Sequence, residues 1–158
     1  RKELGIAAAL FGAAVLFVTN FLKLQNAYVF VVFYTFAYVG IAIFSLITWA
    51  MITDVIDDAQ VHDGRRSDGT IYSVYSFARK VGQAASSGVT GLLLSIIGYS
   101  QATAFEPSVV NGIYHITCLA PAVGFVLLAL SLAFLYPLDR KKVQENARIL
   151  VEKENEAK

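Results

Sequence analysis

Charge is scarce in this chain. Only 16% of its 158 residues are charged, where a soluble domain carries roughly 25%. The single cysteine, Cys118, excludes an internal disulfide and a cysteine-rich metal site. Asp, Glu and His do not fall at metal-ligand spacing, and no nucleophile–base pair is legible, so nothing argues for enzyme chemistry. A formal net charge of +1 implies no nucleic-acid partner. The polar segment 98–112, "GYSQATAFEPSVVNG", contains no Lys or Arg. There is no internal repeat and no low-complexity tract. No small-residue cleavage site follows the first apolar run, so that run is not read as a signal peptide.

What the chain has instead is apolar length. Hydrophobic residues make up 56%, and four runs reach the roughly 20 residues that a bilayer core requires. They predict four transmembrane helices at about 4–22, 27–53, 70–97 and 112–136, an all-α integral membrane fold over residues 1–137. Asn26 is placed to cap the second helix, and Ser67 or Asp68 the third. The connector 54–69, "DVIDDAQVHDGRRSDG", is the one highly polar internal segment. Residues 138–158 form a charged tail in which Val143, Ala147, Leu150 and Val151 recur at helical spacing, predicting a short amphipathic helix.

Positive residues in short loops mark the cytoplasmic side. Arg1 and Lys2, Arg65 and Arg66, and Arg140 to Lys142 all fall on one side of an even number of spans, against Lys23 alone on the other. Both termini, the connector and the tail are therefore expected in the cytoplasm. Tyr28, Tyr99, Tyr114 and Tyr136 lie near the run ends, as interfacial aromatics do.

Within the third run, "SVYSFARKVGQAASSG" (73–88) places Arg79 and Lys80 inside an otherwise membrane-like segment. With entry near residue 70, Lys80 lies roughly 15 Å deep, beyond comfortable snorkelling. Ser73, Ser76, Lys80, Gln83 and Ser87 follow three-to-four-residue spacing and make one polar stripe. Such a stripe lines a substrate or ion pathway, or else glues helices together through a structural ion pair. Arg79, about 100° round the helix from Lys80, is expected to point elsewhere. Trp49 and Tyr75 offer aromatic platforms to a sugar, or simply pack. Gly82, Ser86, Gly88 and Gly91 make a small-residue face for close helix packing.

A second constellation sits at the cytoplasmic end of the second run. Asp54, Asp57 and Asp58 share a helical face if the helix continues there, and a helix C-terminus disfavours carboxylates. Arg65 and Arg66 are the candidate compensation, in a charged cytoplasmic gate or an ordinary solvated loop. His115, near the outer end of the fourth run, reads as an interfacial or helix-contact residue rather than a proton relay.

The block 53–99, from "TDVIDDAQVHDGRRSDGTIYSVYSFARKVGQ" onward, resembles the glycoside–pentoside–hexuronide:cation symporters, the melibiose-carrier-like branch of the major facilitator superfamily. The likeness extends from residue 3 to about 150. It implies a C-terminal fragment covering helices nine to twelve, part of the six-helix C-terminal half of a twelve-helix carrier in a bacterial cytoplasmic membrane. The whole carrier would couple sugar uptake to Na+ or H+, with the main cation site in the missing N-terminal half. The resemblance implies a gate role for Asp57 and Arg66, and a cavity position for Lys80 with Ser76 facing the sugar. Gln60 stands where melibiose carriers have a glutamate, and Ser45 where they have a tryptophan.

The partners implied are a sugar or glycoside, the lipid bilayer and the missing N-terminal helices. An opening at "RKELG", without Met, is expected of a fragment. The competing expectation is a complete four-helix membrane protein serving as an oligomeric structural or assembly subunit.

Overall fold

A computed structural model describes residues 1–24 and 26–156. The described chain is built from five helices: α1 (Lys2–Leu22), α2 (Ala27–Asp63), α3 (Asp68–Ile96), α4 (Pro107–Leu135) and α5 (Arg140–Glu156). Local chemistry sets their ends. The Asn26 side chain accepts from the Tyr28 N–H at 2.9 Å, capping α2. Gly64, at φ 69°, closes α2 by donating its N–H to the Gln60 carbonyl. Pro107 occupies the first turn of α4, where its missing N–H costs nothing.

α1 is the centre of the packing, held between α2 and α4. Its buried face is made of small residues, Gly5, Ala8, Ala9, Gly12 and Ala13, followed by Leu16 and Thr19. Ala37 of α2 and Ala122, Phe125 and Ala129 of α4 complete the core. Small residues let backbones approach closely, which matters where lipid removes the hydrophobic drive between helices. The closest approach is at Gly40, where an added Cβ would stand 2.5 Å from the Ala8 carbonyl oxygen. Polar ties reinforce this bundle. His115 Nδ1 meets Asn20 Oδ1 at 2.7 Å, so His115 is a contact between α4 and α1. Tyr114 donates its hydroxyl to the Thr19 carbonyl and accepts from the Leu24 N–H. Lys2 Nζ donates to the carbonyls of Ala133 and Tyr136, satisfying the C-terminal end of α4.

Among the described residues three helices, α1, α2 and α4, are long and apolar enough to cross a membrane, as those of a multi-pass membrane protein are. Four were expected. α3 has the length, with 29 residues, but its polar stripe and its Arg79–Lys80 pair dilute its hydropathy. It has no buried residue, and its main contact is with α2.

Two boundaries differ from expectation. α2 runs on to Asp63, so the connector 54–69 shrinks to residues 64–67. No Gly or Pro interrupts 54–63, and the change from apolar to polar residues there ends the apolar run without ending the helix. Asp54, Asp57 and Asp58 therefore precede the last turn of α2, where the macrodipole penalty fades. In α5 the inward face is Lys142, Val143, Asn146, Ile149 and Leu150, whereas Ala147 and Val151 are exposed. The face turns because a polar residue, Asn146, is its buried centre.

Candidate functional site

Two polar clusters stand out from the apolar bundle. The first is a shallow hollow of about 310 Å³ between α2 and α3, lined by Trp49, Tyr75, Ser76, Arg79, Lys80 and Gln83. Trp49 holds the α3 side together, with ring centroids 6.2 Å from both Tyr72 and Tyr75. Positions 75, 76, 79, 80 and 83 advance by one and three, so they form one broad helical face. Arg79 therefore lines the same hollow as Lys80, contrary to the expectation that it points away. The 100° between neighbours falls within one face when both side chains are long.

Ser73 and Ser87 belong to the stripe but not to the wall of the hollow. Their hydroxyls donate back to the Thr70 and Gln83 carbonyls, at 2.8 and 3.0 Å, within their own helix. Among the described residues, neither Arg79 nor Lys80 has an ion-pair partner. Apolar residues of α3 beside the stripe, Val74, Phe77 and Val81, are exposed. The hollow thus presents two cations, an amide, a hydroxyl and two aromatic rings. Such a set can donate hydrogen bonds to the oxygens of a polar solute and offer an aromatic face to its apolar side.

The second cluster surrounds the C-terminal half of α2. Arg66 Nε donates to Asp68 Oδ2 at 3.0 Å, and Arg66 Nη1 donates to Asp57 Oδ1 at 3.1 Å and to Gln60 Oε1 at 3.0 Å. The bond to Asp68, followed by that to Asp57, raises the Arg66 pKa above the ordinary arginine value. Gln60 thus keeps a hydrogen bond from Arg66, as a neutral acceptor. Arg65 makes no ion pair among the described residues, and the α2 carboxylates are compensated elsewhere. Asp54 is 5% exposed and pairs with Arg1, which also donates to the Ala50 carbonyl at 2.9 Å. Asp58 accepts from Asn146 at 2.7 Å, with Lys142 Nζ 3.6 Å away.

Asp57 and Arg66 are thus brought together, Asp54 is joined to Arg1, and Arg65 stands apart. The Asp54–Arg1 and Asp58–Asn146 partnerships escaped the sequence reading. Their separations of 53 and 88 residues leave no local signal.

Residues 1–140 match the family described as MFS/sugar transport protein. The chain is 35% identical over 131 residues to the uncharacterized symporter YjmB of Bacillus subtilis (strain 168), covering 83% of this chain and 28% of that protein. It is 30% identical over 158 residues to the glucuronide carrier protein homolog of Escherichia coli (strain K12), covering all of this chain and 34% of that one. A third relative, the putative glycoside/cation symporter YagG of the same organism, is 33% identical over 104 residues, 65% of this chain and 22% of YagG. The chain spans about a quarter to a third of the length of these relatives. They are described as carriers and symporters, not as enzymes. No solved structure matches the chain.

Proposed function

We propose, from the premise that this chain belongs to the MFS/sugar transport protein family, that it is the C-terminal part of a secondary active sugar transporter. The relatives named as symporters and as a glucuronide carrier support this reading, and none supports a complete four-helix assembly subunit. The observation that carries it is the hollow between α2 and α3, which two cations without ion-pair partners among the described residues line together with Trp49 and Tyr75. In a helix crossing the bilayer these charges demand water, a carboxylate or a substrate.

In this reading α1 to α4 are the ninth to twelfth spans of a twelve-helix carrier, and α3 crosses because its polar stripe faces the interior rather than lipid. Lys80, Ser76, Tyr75 and Gln83 line the path of a glycoside, pentoside or hexuronide, with Ser73 on the same stripe. The coupling cation is Na+ or H+, held mainly by the missing N-terminal helices. Arg79 or Lys80 donates to the sugar or to a carboxylate from that half. Asp57 and Arg66 serve as the cytoplasmic gate with Asp54, and Arg65 is available to partners in that half. Transport follows by alternating access around a midplane site.

Orientation follows from where the charges gather. Arg1, Arg66 and Lys142 all pair with carboxylates of one segment of α2, at the same end of the bundle. The Lys/Arg rule makes that end cytoplasmic, in a bacterial cytoplasmic membrane with both termini inside. Trypsin reaching the α5 tail from outside sealed cells would overturn that orientation.

The test uses the intact carrier in sealed vesicles, offered radiolabelled methyl glucuronide, methyl galactoside and methyl xyloside under an imposed Na+ or proton gradient. At least one solute accumulates with a gradient and only equilibrates without it. Failure of all three under both gradients would overturn the reading. In the same assay Arg66→Glu lowers turnover by about tenfold and changes binding by less than about threefold, because it alters the balance of states rather than the sugar's contacts. Parental turnover in Arg66→Glu removes the gate.

A further inference from the structure

The hollow between α2 and α3 holds more positive charge than a neutral solute needs. Arg79 and Lys80 both line it, and the rest of its lining, Trp49, Tyr75, Ser76 and Gln83, includes no carboxylate. Both cations are exposed, and neither makes an ion pair or a side-chain hydrogen bond among the described residues. The carboxylates nearest the lining in sequence are engaged elsewhere. Asp54 is held by Arg1, Asp57 and Asp68 by Arg66, and Asp58 by Asn146. Two unanswered charges side by side repel, and in a helix that crosses the bilayer each carries its own cost of insertion.

The two cations are not alike. An ammonium is a compact point charge, whereas a guanidinium is a planar fork that meets a carboxylate through two parallel N–H bonds. Arg79 follows Tyr75 by four residues, so it stands roughly 6 Å further along α3 on the same face. Trp49 faces Tyr75 from α2, with ring centroids 6.2 Å apart. The aromatic pair and the fork are thus spaced on the scale of one pyranose ring bearing an acidic substituent. Ser76 and Gln83 suffice to bond neutral hydroxyls, and a neutral glycoside gives Arg79 nothing to answer its charge.

We propose that Arg79 sets the charge selectivity of the site: its guanidinium holds the carboxylate of a sugar acid whose ring lies by Trp49 and Tyr75, so that the carrier takes anionic glycosides in preference to neutral ones. The proposal rests on reading the hollow as the sugar's path, and it leaves Lys80 to the coupling.

The experiment titrates the purified intact carrier, in the presence of its coupling cation, with methyl glucuronide and with methyl glucoside in a calorimeter. These solutes differ only in a carboxylate against a hydroxymethyl group. The parent is expected to bind the glucuronide at least about tenfold more tightly, the scale of a hydrogen-bonded charge pair. In Arg79→Gln the glucuronide weakens at least about tenfold while the glucoside changes less than about threefold, so the preference disappears. Arg79→Lys keeps the charge without the fork and retains a preference of about threefold. Arg79 is exposed on a helix with no buried residue, so neither variant removes a core contact, and an unchanged melting temperature certifies each. A parent that binds both solutes equally, or prefers the glucoside, overturns the proposal and leaves the sugar path standing. Binding of neither, with methyl galactoside or methyl xyloside accumulating in vesicles, does the same. A preference that survives Arg79→Gln also overturns it, since the anion is then read elsewhere. So does equal weakening of both solutes, the mark of a fixed carboxylate from the missing half on Arg79. If neither solute binds and nothing accumulates in vesicles, the sugar path itself is wrong.

Discussion

Replacing Lys80 by Ala is expected to leave the intact carrier folded in the membrane and to abolish cation-driven accumulation. Lys80 is exposed on a helix with no buried residue, so the truncation removes no core contact and leaves no cavity. What it removes is an ammonium without an ion-pair partner among the described residues, in a hollow shared with Tyr75, Ser76, Arg79 and Gln83. An intramembrane charge is retained against a cost of about 2.5–3.5 kcal/mol on insertion scales, which is why its loss is expected to act on function rather than folding. Accumulation in Lys80→Ala should drop at least about tenfold, to simple equilibration, if Lys80 is the donor that rearranges when the cation binds. Lys80→Arg is not a safe replacement, since a planar guanidinium beside Arg79 demands another geometry. Membrane abundance and solute accumulation, measured together, decide this. A well-expressed Lys80→Ala carrier that still concentrates its sugar defeats the assignment.

The second large effect concerns assembly. Gly40→Leu is expected to prevent α2 from seating on α1. The added Cβ alone would stand 2.5 Å from the Ala8 carbonyl oxygen and 3.4 Å from the Gly12 nitrogen, both backbone atoms that cannot swing aside. Gly40→Ala should cost about 1–3 kcal/mol, the usual range for overpacking, and leucine more. Gly124, where an added Cβ would meet nothing within 4 Å, is the control. Gly124→Ala should leave detergent-solubilised carrier as monodisperse as the parent, while Gly40→Leu aggregates or is degraded. A monodisperse Gly40→Leu carrier with the parental melting temperature would contradict the close crossing of α1 and α2.

The helices were legible because apolar runs of bilayer length leave few alternatives. Hydropathy marks where lipid contact ends, however, not where the helix ends. That is why α2 extends to Asp63, beyond the expected limit at residue 53. The spacing within α3 set Ser73, Ser76, Lys80, Gln83 and Ser87 on one stripe, because helical periodicity is local; of these Ser76, Lys80 and Gln83 line the hollow, and Tyr75 joins them. Its treatment of Arg79 failed because an angle between Cβ atoms ignores the reach of a long side chain. The partners of Asp54 and Asp58 come from Arg1 and from α5, and no periodic pattern announces a tertiary contact. In α5 the apolar residues gave only part of the inward face, Val143 and Leu150 but not Ala147 or Val151, since its buried centre is an asparagine answering a carboxylate on another helix.

The central claim is that the polar face of α3 lines the sugar's path, and protection of Ser76 tests it most directly. Ser76→Cys in the otherwise cysteine-free intact carrier is alkylated by a water-soluble maleimide, with and without a transported glycoside and its coupling cation. The account predicts that the cysteine reacts readily and that the sugar and cation together slow the reaction at least about threefold, as occupancy excludes reagent and shifts the population of states. A cysteine that only a lipid-soluble reagent reaches, or one alkylated at the same rate whether or not the sugar is present, would contradict it.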